Sequence, residues 1–199
     1  MTKQQDVDNR RMRLQQSIDE GKLKIDFSDV KREIDKITSE YKPKKVTANR
    51  NRKVLAIDPG PEQSALVIWD GTFIISSKIL PNLELLYRLD KYPYLPPLPL
   101  VIEQVVSLGM PVGATTFETV FWTGRFCQVW GGKWHRMPRR DVKMHLCNSM
   151  RAKDSNIRQA LIDRFGAPGT KKAPGLTYGL KKDMWAAFAL AVTWYDKNT

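Results

Sequence analysis

The chain has two histidines, two cysteines and no long apolar run, and each scarcity removes a class of function. Cys127 and Cys147 lie far apart, with no Cys-x-x-Cys or Cys/His pairing. That excludes a zinc knuckle and a disulfide framework, and leaves reduced thiols in a cytosolic setting as the expected state. His135 and His145 have no ligand-like spacing and read as structural or surface side chains. No apolar stretch reaches membrane-spanning length and no signal-peptide core stands at the N-terminus, so no membrane partner is expected.

Acidic residues are also scarce relative to basic ones. The chain carries 33 Lys/Arg against 21 Asp/Glu, a net charge of +12 and a pI near 9.8. Such an excess points to a polyanionic partner. Residues 1–53 hold 15 Lys/Arg against 9 Asp/Glu, and residues 133–182 hold 13 against 3. Acids elsewhere in apolar stretches therefore stand out. The 199 residues and 42% hydrophobic content suit one domain with a substantial core.

Residues 1–52 read as a basic N-terminal extension, and 53–199 as the main domain. Within the extension, residues 1–20 form a polar arm or frayed helix. Lys22 to Phe27 alternates as an edge strand, and Ser28 to Tyr41 follows helical spacing up to Pro43. This region either docks as a solvated helix or grips DNA.

Val54-Leu55-Ala56-Ile57 is a continuous apolar run, as a strand buried on both faces requires. Ser64–Trp69 and Thr72–Ile79 read as strands joined by an Asp70-Gly71 turn. Leu83–Leu89 reads as a short helix. Pro93, Pro96, Pro97 and Pro99 stiffen the approach to a strand over Leu100–Val105. Further elements are a helix over Thr116–Val129, a strand within 131–137, a helix over Ser149–Phe165 and a last helix from Asp183 to Tyr195. The order predicts an α/β fold: a mixed five-stranded sheet flanked by helices, of ribonuclease-H-like type.

Asp58 ends the first buried strand, and Glu103 interrupts another apolar run. Burying a charge is costly unless it is compensated. Each acid is therefore salt-bridged, exposed at a strand end, or bound to a cation. Asp183 shares a helical face with Ala186, Ala187, Leu190 and Trp194, which directs it inward from the first turn. It is alternatively a helix-start acid favoured by the macrodipole. Three such carboxylates suit Mg²⁺ or Mn²⁺, one or two ions per site. A pair of these ions can activate water for phosphodiester hydrolysis without a Lys or His base.

Ile57-Asp58-Pro59-Gly60 and Ile102-Glu103-Gln104-Val105 resemble the first two motifs of the RuvC-like Holliday junction resolvases. Gly124, Val142-Lys143, then Ala152 with Asn156 and Ile157, and Asp183 before an Ala/Leu-rich helix resemble the later ones. The similarity spans residues 53–195 and includes phage-type members. It implies a homodimer that nicks four-way junctions symmetrically, in the cytoplasm of a bacterial or phage-infected cell. It implies catalytic, metal-binding roles for Asp58, Glu103 and Asp183, and contact of Lys143 and Lys153 with the scissile phosphate region.

Two departures stand out. Many members have a second acid one turn into the last helix, where this chain has Ala186. Many follow the central motif with an aromatic, where this chain has Val106. A broader debranching or flap nuclease, and a non-catalytic DNA-binding relative, are therefore the alternatives. Arg136, Arg139, Arg140 and Lys143, beside Trp134 and His135, form either a phosphate grip or a solvated basic edge. Lys171, Lys172, Lys181 and Lys182 flank the Gly/Pro loop before Asp183 and are expected to track the DNA backbone. Asp154 is expected to pair with Arg158 at helical spacing.

Overall fold

The computed structural model describes residues 53–91, 98–106, 109 and 111–198. The strand and helix expected in the N-terminal extension, and the prolines at 93, 96 and 97, lie outside the described residues.

The elements run β1 (Val54–Asp58), β2 (Gln63–Trp69), β3 (Ile74–Pro81), α1 (Asn82–Lys91), β4 (Leu100–Gln104), α2 (Ala114–Val129), β5 (Trp134–Pro138), α3 (Arg139–Cys147), α4 (Asp154–Phe165) and α5 (Met184–Asn198). The sheet order is β3-β2-β1-β4-β5. β1, β2 and β3 form an antiparallel meander, while β4 and β5 run parallel to β1. This is the mixed five-stranded sheet that the sequence pattern predicts.

β1 is an uninterrupted apolar run because both of its faces are covered. Successive side chains on a strand point to opposite faces. Val54 and Ala56 accordingly join a core with Met137, Val142, Ile157, Leu161 and the buried residues of α5. Leu55 and Ile57 join a second core with Leu85, Leu89, Trp122 and Phe126. Helices α3, α4 and α5 thus line one face, and α1 and α2 the other. The β2–β3 turn is closed by Asp70, whose Oδ1 accepts from the backbone N–H of Thr72 and Phe73 at 2.8 and 2.6 Å. Gly71 takes a φ of 90°, which few side-chain-bearing residues adopt.

Several details differ from the sequence reading. α3 is a helix over residues to which the sequence reading assigns no element. Val142 is its one fully buried residue, with Leu146 and Cys147 partly buried against the same core, so its apolar stripe is short. Asn148, left-handed at φ 50°, ends it by donating its N–H to the Met144 carbonyl at 3.0 Å. α4 begins at Asp154 rather than Ser149. The intervening turn has Ala152 N–H on the Ser149 carbonyl, and Asn156 Oδ1 accepts from the Lys153 N–H. α5 is buried almost all round, from Trp185 through Ala187–Thr193, rather than along one stripe. It lies between the sheet and other helices, so small alanines replace the usual polar face.

Candidate functional site

Ile57 of β1 and Ile102 of β4 are register partners on parallel strands. The next residue of each strand is an acid, so Asp58 and Glu103 stand side by side at the C-terminal sheet edge. Alternation turns both away from the face of Ile57 and Ile102, towards the face lined by α3, α4 and α5.

A buried polar link fixes the loop that follows Asp58. The Gly60 N–H donates to Ser64 Oγ at 3.2 Å, and Ser64 Oγ donates to Asn82 Oδ1 at 2.7 Å. Asn82 Nδ2 returns to the Gly60 carbonyl at 2.9 Å. Ser64 and Asn82 are 1% and 2% exposed, so every partner in this loop matters.

The electrostatics of the two acids are unusual. Burial pushes the Asp58 carboxyl up from an ordinary 3.8 to about 8. Neighbouring Glu103 pushes the same way, as do Asp183 and Asp154, while the Arg139 charge opposes them. Burial also raises Glu103, against the charge and hydrogen bond of Arg139 and the charge of Lys143. Arg139 forks between two acids. Its Nη1 donates to Glu103 Oε2 at 3.1 Å and its Nη2 to Asp154 Oδ1 at 2.6 Å. Among the described residues, none gives Asp58 a hydrogen bond that would favour its charged form.

The expected acids are therefore near one another, but unequally placed. Asp183 is exposed just ahead of α5, with its carbonyl accepting from the Ala187 N–H at 3.0 Å. Among the described residues, no three ligand-type side chains are already gathered around one ion position. In donor type and charge the site still suits a hard cation: paired carboxylates, one of them without a hydrogen-bond donor, held at a cost that positive charge would offset.

The basic residues divide. Lys143 is half-buried and electrostatically coupled to Glu103. Lys153 is exposed at the start of α4. Arg136 is exposed, its guanidinium 5.9 Å from the Trp134 ring, and Arg140 pairs with Asp141 at 3.4 Å. Arg139 departs from the expected phosphate grip, because its guanidinium is turned onto the acids. Lys171 and Lys172 occupy the tip of a tight turn in which Thr170 and Ala173 exchange backbone hydrogen bonds at 3.0 and 3.1 Å. Lys181 and Lys182 are exposed, and Lys182 has a left-handed φ of 45° directly before Asp183. The expected Asp154–Arg158 pair is not formed: Asp154 takes Arg139, and Arg158 lies over the Trp185 ring at 4.6 Å.

Asp154, Ser64 and Asn82 are the site residues that local sequence reasoning misses. Asp154 carries a misleading signal, a basic residue four positions on. The Ser64–Asn82 link spans 18 residues and leaves no local trace.

No family model matches the chain, and no curated protein does. Solved structures do. The RuvC of Thermus thermophilus in complex with its Holliday junction substrate aligns at 15% identity with a TM-score of 0.53, covering 72% of this chain and 92% of that one. A second Thermus thermophilus RuvC structure aligns at 16% identity and a TM-score of 0.52, covering 73% and 95%. The chain has a RuvC-like fold. The aligned region takes in nearly the whole of those two chains, so the likeness is one of fold, at low sequence identity. Among the described residues, no helix is long and apolar enough to cross a membrane.

Proposed function

We propose that this protein is a divalent-metal-dependent endonuclease that resolves four-way DNA junctions by paired symmetric nicks. The observation that carries the reading is the placement of Asp58 beside Glu103 at the C-terminal edge of parallel strands in a RuvC-like fold. The structural neighbour bound to a Holliday junction supports branched DNA as the substrate class.

Asp58, Glu103 and Asp183 would hold Mg²⁺ or Mn²⁺. When bound, such ions supply Lewis-acid polarisation of a phosphodiester and an activated water. The chain's own residues do the rest. Ser64 and Asn82 hold the Asp58 loop in place. The charge of Lys143 is felt at Glu103, which suits it to meet a phosphate brought to the acids. Lys153, Arg136, Arg140, Lys171, Lys172, Lys181 and Lys182 provide exposed charge for the DNA backbone. Arg139 enters this function through the acids rather than as a free DNA contact.

Symmetric nicking calls for two active sites, and a homodimer provides them. The exposed stripe Phe117, Val120 and Phe121 on α2 supports a two-copy assembly. With Gly124 these residues follow i, i+3, i+4, i+7 spacing. A Cβ on Gly124 would meet nothing within 4 Å, so a second helix has room to approach.

The Arg139–Glu103 ion pair favours one second reading, a relative that binds DNA without cutting it. One assay separates these readings and the broader flap nuclease. The protein is incubated with Mg²⁺ or Mn²⁺ and a mobile four-way junction, a fork, a flap or a linear duplex. Paired nicks confined to the junction support the resolvase. Equal cutting of forks and flaps makes it a broader debranching nuclease, and binding without cutting under either metal makes it a DNA-binding relative.

A further inference from the structure

β5 runs parallel to β4, with Glu103 level with Met137 and Gln104 level with Pro138. Arg139 is the next residue, the first of α3. The topology therefore delivers a guanidinium to the same sheet edge that carries the acids. The two limbs of its fork differ. The bond to Glu103 is 3.1 Å long and reaches a carboxylate side chain only 19% exposed. The bond to Asp154 is 2.6 Å long and reaches one that is 79% exposed. One cation thus spans the interior of the site and its rim.

We propose that Arg139 is the resident counter-ion of the carboxylate site: it occupies Glu103 until a divalent ion displaces it, and Asp154 retains the released guanidinium at the rim. This rests on the metal-site reading above. An arginine stays protonated at any working pH, so it cannot make way by losing its charge. A guanidinium and a divalent cation on one carboxylate repel each other strongly in a partly buried site. The conflict is resolved by movement: the limb on Glu103 gives way, because that carboxylate is the one the metal takes, while the limb on Asp154 stays in place. Arg139 is thus a positioning residue, acting through Glu103. It sets how much free metal the site requires, and it keeps an acid cluster folded when metal is absent.

The test is Mn²⁺ binding to the full chain without DNA, by titration calorimetry, beside the Tm of the metal-free protein. Arg139→Gln is expected to bind Mn²⁺ roughly tenfold more tightly than the wild type. Its metal-free Tm falls, and Mn²⁺ raises that Tm by more than it raises the wild type's. Arg139→Lys keeps a charge but cannot span both acids. It is expected to recover the metal-free Tm and bind Mn²⁺ with intermediate affinity, and it carries the test if Arg139→Gln does not fold. Asp154→Asn weakens Mn²⁺ binding where Arg139 is present and leaves it unchanged in the Arg139→Gln background. A loss in both backgrounds would make Asp154 a direct ligand and overturn its role as the rim anchor. Wild-type binding that Asp58→Asn removes, with equal or weaker binding by both Arg139 variants, overturns the counter-ion and leaves the metal site standing. Absence of binding in every variant overturns both.

Discussion

Asp58 and Glu103 are neighbours because each follows one member of the Ile57–Ile102 register pair on two parallel strands. The two acids are 58 and 103 positions into the chain, yet one strand pairing sets them level. A one-residue slip of β4 would turn Glu103 to the opposite face, into the apolar core of α1 and α2.

The first consequence concerns cleavage. Asp58→Asn removes a charged ligand while keeping shape. Nicking of a four-way junction is expected to fall to background, with junction affinity in a gel-shift assay within about twofold of wild type, since the phosphate-binding charges are untouched. Nicking by the variant at the wild-type rate would sink the assigned role of Asp58.

The second concerns pH. Asp58 is protonated in the folded, metal-free protein up to about 8, whereas an unfolded carboxyl has its ordinary value of 3.8. Between those values the folded state binds the extra proton, so stability falls as pH rises. The contribution is complete below the unfolded value and is lost as pH passes through the folded one. Burial raises Glu103 in the same direction. Metal-free Tm should therefore decline towards about pH 8 more steeply in the wild type than in Asp58→Asn. Parallel curves for the two proteins would remove the buried acid as the cause.

The third concerns the loop behind Asp58. Ser64→Ala strands the buried Asn82 Oδ1 and takes the partner from the part-buried Gly60 N–H. The expected cost is about 1–3 kcal/mol in urea unfolding. The reduced activity should track the loss of loop order, with DNA affinity retained. A stability change within about 0.5 kcal/mol would mean the link is not a brace.

The fourth concerns assembly. Phe117→Asp combined with Phe121→Asp places two charges on the α2 stripe, whose phenylalanines are 64% and 56% exposed. The fold should survive, since exposed positions carry little of the core. Sedimentation should show a shift from dimer to monomer, and paired nicks should become uncoupled single nicks. An unchanged sedimentation coefficient would place the two-copy contact elsewhere.

Much of this was written in local patterns. The apolar run 54–57, the Asp70-Gly71 turn and the apolar run of β2 define their strands without help from the rest of the chain. Asp58 and Glu103 were conspicuous as acids inside such runs, because burial of an unpaired charge is costly enough to need a reason. The length of α2 and the approximate position of α5 followed from spacing and from Gly/Pro punctuation. The polyanion-directed charge was a matter of composition alone.

Other features have no local signature. α3 buries Val142 fully and Leu146 and Cys147 only in part, a stripe too short to specify a nine-residue helix without its neighbours. Ser64 and Asn82 became a brace only when the hairpin brought β2 against the start of α1. Arg139 looked like one more basic residue of a surface cluster. Its position after β5, parallel to β4, is what turned it onto Glu103 and took Asp154 from Arg158. Sequence by itself determined which residues are acidic, which are apolar and how far apart they sit. The pairing of distant strands decided which acid meets which cation, because that choice depends on register and on burial rather than on separation along the chain.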